Sequence, residues 1–300
     1  MSLLELVQSS SNKRHSLFTW TTTTFEAISD LPNYENNEVP EYVSNKLINI
    51  ISQIDTFIQF LTTTEDKEQL DSHYVFIRIS HVYSMTLCRL KETSSGKIFD
   101  GAEFMINVLG EEDVSLPDPT EESSKKSKKK NSSSKRTHTH SPAKDLAVVI
   151  LAQLYELFSQ ELNSLIPLTY FHIFKNLKKA MEKTKYRHAT FLVSLLKLYN
   201  IILTQNDDPS KDITYISKFT KLSKNIFENI YENDESYPVD MVSLVIETWG
   251  LILTQDHFLK ENSSNLLDAL YAKFHDSEIG IYGFVNDNTR VVTAKILGDI

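Results

Sequence analysis

From residue 41 the chain places apolar side chains at intervals of three and four. Val43, Leu47, Ile50, Ile51, Ile54, Phe57, Ile58 and Leu61 form one stripe of an amphipathic helix, closed by the polar run 62–68. A second helix is predicted over 69–90, with Val75, Ile79, Val82, Met85 and Leu87 in its stripe. A third is predicted over 98–109, stopped by Gly110. Before these, residues 16–31 read as a short first helix, with a threonine run (Thr21 to Thr24) between Trp20 and Phe25. Helical periodicity resumes at Ala143 and continues through 143–162, 168–183, 187–203, 213–230, 238–253 and 266–274, separated by short polar connectors. Pro167 stands near the start of its helix, where the first-turn amide needs no helical partner. Alternating strand patterns are lacking. The best exception, 279–285 (IGIYGFV), reads as a loop with anchoring apolar side chains.

The closing segment 287–300 (DNTRVVTAKILGDI) places Thr293 and Ala294, Leu297, Gly298 and Ile300 at helical spacing after Arg290. Small residues on such a stripe let a neighbouring helix come close, as in the inner helix of a HEAT-type repeat. A solenoid ends on a repeat with a polar outer face. This segment carries none, so further repeats are expected beyond it. Three hundred residues hold roughly five to six such repeats. The fold class expected is all-α: an α-solenoid of HEAT-like antiparallel helix pairs.

One segment breaks the pattern. Residues 111–142 (EEDVSLPDPTEESSKKSKKKNSSSKRTHTHSP) hold three prolines and almost nothing apolar after Leu116. They cannot bury enough apolar surface to offset the entropy of ordering, and a disordered charged loop is expected. The organisation read from the sequence is thus 1–110, N-terminal helices of the solenoid; 111–142, the loop; and 143–300, HEAT-like repeats. Within the loop six acidic residues precede seven basic ones: Lys125, Lys126, Lys128, Lys129, Lys130, Lys135 and Arg136. The loop therefore carries +1, and with the chain at −9 the remainder carries −10. The body is acidic and a basic block hangs from it.

That block reads as a solvated insert, a nuclear localisation signal, a nucleic-acid tether or an anionic-lipid contact, all of the latter driven by charge. Phosphorylation at Ser141, before Pro142, would reduce its charge. Tyr155, Phe158, Tyr170, Phe171 and Phe174 follow helical periodicity rather than interleaving with the block, so they read as core and not as a base-stacking platform.

Composition narrows the chemistry. Apolar residues make up 41% of the chain, enough for a continuous core, whereas Gly (7) and Pro (8) are scarce for hairpins or a phosphate-cradling loop. There is no Walker loop, GxGxxG, HExxH or GxSxG, and no zinc-spaced Cys/His cluster. The single cysteine, Cys88, lies in an apolar run seven residues from His81 and is expected to be buried and structural. One thiol without a disulfide partner fits a reducing compartment. His138 and His140 sit in the loop, where nothing would hold ligand geometry. His172, His188, His257 and His275 are scattered singly, and the pairs Glu111/Glu112 and Asp207/Asp208 fall in connectors. No catalytic, cofactor or metal-binding residues are expected, and no small-molecule substrate. The N-terminus has a five-residue apolar start interrupted by Glu5, too little for a signal peptide, and no stretch approaches 18 uninterrupted apolar residues.

Several pieces lie in an order that resembles the N-terminal region of the large HEAT-repeat accessory proteins of the AP-1 clathrin adaptor. They are the aromatic-rich opening LFTWTTTTFEAISDL, the run RISHVYSM, the acidic loop, PAKDLAVVILAQLYELFSQEL, FHIFKNLKKAMEK, and the closing RVVTAKILG. The basic insert departs from the family pattern. The resemblance implies a non-enzymatic scaffold that helps localise AP-1 for clathrin traffic between trans-Golgi and endosomes. Its partners would be the adaptor or associated coat factors, its membrane association peripheral and through those partners, and no nucleic acid would be bound. The competing reading is a nuclear HEAT-repeat protein, a transport receptor or chromatin-complex subunit, that uses the basic block for import.

Overall fold

The computed structural model describes residues 2–32, 39–64, 70, 73–90, 95–111, 141–181, 189–205, 213–232 and 239–253, together with the single positions 291, 294, 295 and 298. Among the described residues there are helices and no strands. They are α1 (Leu3–Ser9), α2 (Lys13–Ser29), α3 (Glu41–Thr63), α4 (His73–Leu90), α5 (Ser95–Gly110), α6 (Pro142–Phe158), α7 (Ile166–Met181), α8 (Ala189–Gln205), α9 (Ile213–Glu232) and α10 (Val239–Leu253).

Local chemistry sets several of the boundaries. Helix α1, which periodicity alone did not reveal, is started by a capping box. The Ser2 hydroxyl accepts from the Glu5 amide and the Ser2 amide donates to Glu5 Oε2 at 2.8 Å. The Leu3 amide then donates to Gln53 Oε1 at 2.9 Å, tying α1 to α3. Asn12 caps α2 through the His15 amide, which starts that helix at residue 13 rather than 16. Helix α6 ends at Phe158 instead of running on to 162. A helix continued through residue 167 would hold Pro167 in its interior, where the ring clashes with the preceding turn and a hydrogen bond is lost. Instead a turn and a short 3-10 segment, Asn163–Leu165, reverse the chain, and Pro167 falls in the first turn of α7.

Packing follows a simple rule. Helices α2, α4, α6, α8 and α10 contact one another in succession, as do α5, α7 and α9, while sequence neighbours such as α3/α4, α7/α8 and α9/α10 pack across the two rows. Contacts of Phe18 with Tyr74 and of Thr22 with Arg78 show that α2 and α4 run in the same sense.

Helix α6 sits at the centre, against α3, α4, α5 and α8. Its Leu146, Ala147, Val148, Ile150, Leu151, Leu154, Tyr155 and Phe158 are all buried, and so are Lys144 and Asp145 in its first turn. The C-terminal part of the stack is knitted by aromatic rings. Tyr170 of α7 lies 5.0 Å from Tyr199 of α8 and 6.0 Å from Tyr215 of α9, and Tyr199 stacks 4.3 Å from Phe219 of α9. In α10 the fully buried Trp249 donates its indole N–H to Ser223 Oγ at 2.7 Å, which satisfies it without water.

Of the aromatics read as core, Tyr155, Phe158 and Tyr170 are buried, whereas Phe171 is 49% exposed, because it lies one residue off the buried stripe of α7. Cys88 is exposed rather than buried. The apolar run around it covers both faces of α4, and Cys88 falls on the outward one. The loop 112–140, the predicted helix 266–274 and the segment 279–285 lie outside the described residues. In the closing segment Val291, Ala294 and Lys295 are helical and exposed, and a Cβ built on Gly298 would meet nothing within 4 Å. The close helix approach expected at those small residues is not made there among the described residues.

Candidate interaction surface

The basic-block residues Lys125, Lys126, Lys128, Lys129, Lys130, Lys135 and Arg136 lie outside the described residues, as do His138, His140, His188, His257 and His275. Their near neighbour Ser141 is described, and it is buried, with its hydroxyl directed at the Leu61 carbonyl at 3.5 Å. A kinase would reach that hydroxyl only if the start of α6 opened.

The buried titratable groups with shifted affinities among the described residues sit between helices. Asp55 of α3 accepts a hydrogen bond from the Tyr83 hydroxyl of α4 at 3.3 Å. Burial raises the Asp55 carboxyl to about 6, against the opposing effects of that bond and of Lys97. Burial and the facing Asp55 charge push the Tyr83 phenol upward. Gly101 of α5 makes room for this pair, since a Cβ there would stand 2.7 Å from the Tyr83 hydroxyl. At the far end of α5, Gly110 abuts the ring of His172 on α7, 2.5 Å from where a Cβ would be. Asn176 Nδ2 donates to the Leu109 carbonyl at 3.0 Å and so satisfies the end of α5. His172 Nδ1 is buried without a hydrogen-bond partner, and burial followed by Lys175 and Lys144 holds its pKa below the ordinary value. These are joints between helices. No group of three or more His, Cys, Asp or Glu side chains converges on a metal-sized site among the described residues. No helix among them is long and apolar enough to cross a membrane.

Among the outward-facing features, the edge where α2 meets α4 gathers the most aromatic and cationic contacts between two helices. Arg14, Phe18, Thr22 and Phe25 lie along one face of α2, and Tyr74, Arg78, His81, Met85 and Cys88 along one face of α4, each at helical spacing. Phe18, Phe25 and Tyr74 are 38%, 42% and 60% exposed, large values for aromatic side chains. The Arg78 guanidinium lies 4.4 Å from the centre of the Phe18 ring and 6.0 Å from that of Tyr74, and the two rings stack 6.3 Å apart.

The threonine run explains how the guanidinium is held. Thr21 and Thr22 each donate to the Phe18 carbonyl, at 2.8 and 2.9 Å, which commits their only protons to their own helix. Their oxygens are then acceptors alone. Arg78 Nε donates to Thr21 Oγ1 at 3.2 Å and Nη2 to Thr22 Oγ1 at 2.6 Å. Sequence reasoning marked the threonines but not their partner, 56 residues away.

Among the described residues, a stack of helices in which buried polar groups sit at helix joints and an aromatic, basic edge faces outward has the make-up of a binding scaffold. Over 302 aligned residues, covering all of it, the chain is 44% identical to AP-1 accessory protein LAA1 of Saccharomyces cerevisiae (strain ATCC 204508 / S288c). It matches the N-terminal region of that large protein, as the order of its segments implied, and spans 15% of its length. No family model matches the chain, and no solved structure does.

Proposed function

We propose that this chain is part of a non-enzymatic accessory scaffold for AP-1 clathrin-adaptor traffic between trans-Golgi and endosomes. The observation that carries the reading is identity of 44% along the entire chain to a protein named for that accessory role. The physical design agrees with it. Helices stacked in two rows present long continuous surfaces. The rows are read as HEAT-type antiparallel hairpins, supported by the common direction of α2 and α4 and by the succession α4, α6, α8, α10. Residues 112–140 are read as a solvated charged insert of that stack, its C-terminal end being fixed where Ser141 and Pro142 are buried at the start of α6.

The partners are AP-1 or coat factors associated with it, and the protein reaches the membrane through them. Affinity capture of the tagged full-length protein from cells tests this. Enrichment of AP-1 subunits and clathrin-coat proteins is expected, with a location unchanged when 123–136 is deleted. Enrichment of nuclear transport or chromatin factors, with loss of nuclear location on that deletion, would replace this reading with the import-signal one.

A further inference from the structure

The α2/α4 edge carries an excess of positive charge, opposite in sign to the chain as a whole. Within the two helices there are four cations, Lys13, Arg14, Arg78 and Arg89, against one carboxylate, Glu26, with Asp30 at the α2 C-cap. His15, His73 and His81 add further donors. The whole chain carries −9. At such a locally basic surface an anionic segment is attracted and a cationic one repelled, while the acidic body around it acts in the opposite sense and confines anionic docking to this edge.

Arg78 is prepared for such a partner. Of its five N–H donors the structure uses two, on Thr21 and Thr22, which leaves three on a guanidinium already fixed in orientation by the threonines and the Phe18 ring. A fixed guanidinium loses little further freedom on binding, and its fork matches a carboxylate. The exposed rings of Phe18, Phe25 and Tyr74 flank it. In the shared register of the two helices Phe18 is level with Tyr74 and Thr22 with Arg78, so Phe25 falls level with His81. The edge therefore offers an apolar step on either side of a cation, with aromatic and Arg side chains of the type that dominate binding energy at interfaces.

We infer that the α2/α4 edge is a docking site for an acidic peptide segment of a partner protein. A partner carboxylate would be held by Arg78, and apolar side chains beside it would pack on Phe18, Tyr74 and Phe25. This goes beyond the accessory-scaffold reading and does not depend on which adaptor the protein serves, so capture of AP-1 and peptide binding at this edge succeed or fail separately.

The test uses the purified 300-residue chain and two fluorescent twelve-residue probes with identical Leu and Phe positions, one with Asp and Glu at the remaining sites and one with Lys there. The acidic probe is expected to bind, more weakly as salt rises, and the basic one not to bind. Tyr74→Ser, at an exposed position and with unchanged melting, is expected to weaken the acidic probe about fivefold, and Arg78→Glu by about tenfold or more. A double variant, Phe18→Ala with Phe25→Ala, checks the apolar steps should Arg78→Glu disturb the fold. The inference is overturned by equal binding of both probes, by acidic-probe binding that these substitutions leave intact, or by absence of peptide binding alongside retention on phosphatidylserine-containing vesicles.

Discussion

Helices α6 and α2 are both seventeen residues long, yet they relate to the molecule in opposite ways. Twelve residues of α6 are buried and it packs against four other helices, whereas α2 buries only Leu17, Thr21 and Ile28 and turns Phe18 and Phe25 outward. One helix spends its apolar surface on the core and the other leaves part of it uncovered. In a stack whose helices contact mainly their immediate neighbours, a central helix is fixed by packing on all sides, and an edge helix is free to present chemistry. The contrast separates where stability resides from where recognition resides.

The largest test of that contrast is truncation. Leu151→Ala in α6 removes a fully buried side chain from a site enclosed by neighbours, and a loss of about 2–5 kcal/mol is expected in urea unfolding of the 300-residue chain. Phe25→Ala on α2 removes more atoms but from the surface, and a change within about 0.5 kcal/mol is expected. Similar losses for the two would erase the distinction.

A joint of the second row comes next. Gly110→Ala would place a methyl group 2.5 Å from the His172 ring, a planar group flanked by Phe171 and unable to fold away. Relieving the overlap requires α5 and α7 to separate, at a cost of about 1–3 kcal/mol. Pairing it with His172→Ala should recover much of the loss, which a thermal melt of the two variants would show. A Gly110→Ala protein as stable as the parent would mean that the two helices do not meet as described.

Asp55 sharpens the comparison through pH. Its carboxyl is raised to about 6 in the fold, while in the unfolded chain it titrates near its ordinary 3.8. The folded state thus holds the proton more tightly than the unfolded one. The favourable contribution is complete below about pH 4 and is lost as pH rises through 6, amounting to an order of magnitude of 2 kcal/mol for a group buried on most sides. Asp55→Asn keeps an acceptor for the Tyr83 hydroxyl and carries no charge. The variant is expected to be more stable than the parent at pH 7 and to lose that part of the slope between pH 4 and 6. Parallel pH profiles for variant and parent would show that the carboxyl is not raised.

Periodicity made the large helices legible because burial itself follows the 3.6-residue repeat: Val43, Leu47, Ile54, Phe57, Ile58 and Leu61 are all buried as α3's stripe required. It was blind where ends are set by hydrogen bonds, as at the Ser2/Glu5 box of α1, whereas Pro167 marked the start of α7 in the sequence as it does in the fold. It also misplaced Cys88, although Met85, half-buried against the core, keeps its place in the stripe. Apolar residues on both faces of α4 do not say which face a neighbouring helix leaves open. The outward edge was the least legible feature, since its parts lie on two helices and a Thr-rich helix reads as a poor one until its acceptors find Arg78. The identity of the long-range partner is decided by packing, and packing leaves no local trace.

The smallest effect concerns that same contact. Thr22→Val preserves shape and β-branching but removes the oxygen that accepts from Arg78 Nη2. The lost bond is to a charged donor, which argues for a sizeable cost, yet the guanidinium is only half-buried and can turn its N–H to water. Solvent replacement should win, so a loss of about 0.5–1 kcal/mol is expected in the melt, with Thr22→Ser restoring most of it. Binding is the more sensitive reading, because an Arg78 released from Thr22 is no longer pre-set for a carboxylate. A Thr22→Val protein that melts several kcal/mol lower would place this edge with α6 as a structural element. One that melts almost normally but binds the acidic probe more weakly would keep stability and recognition on separate helices.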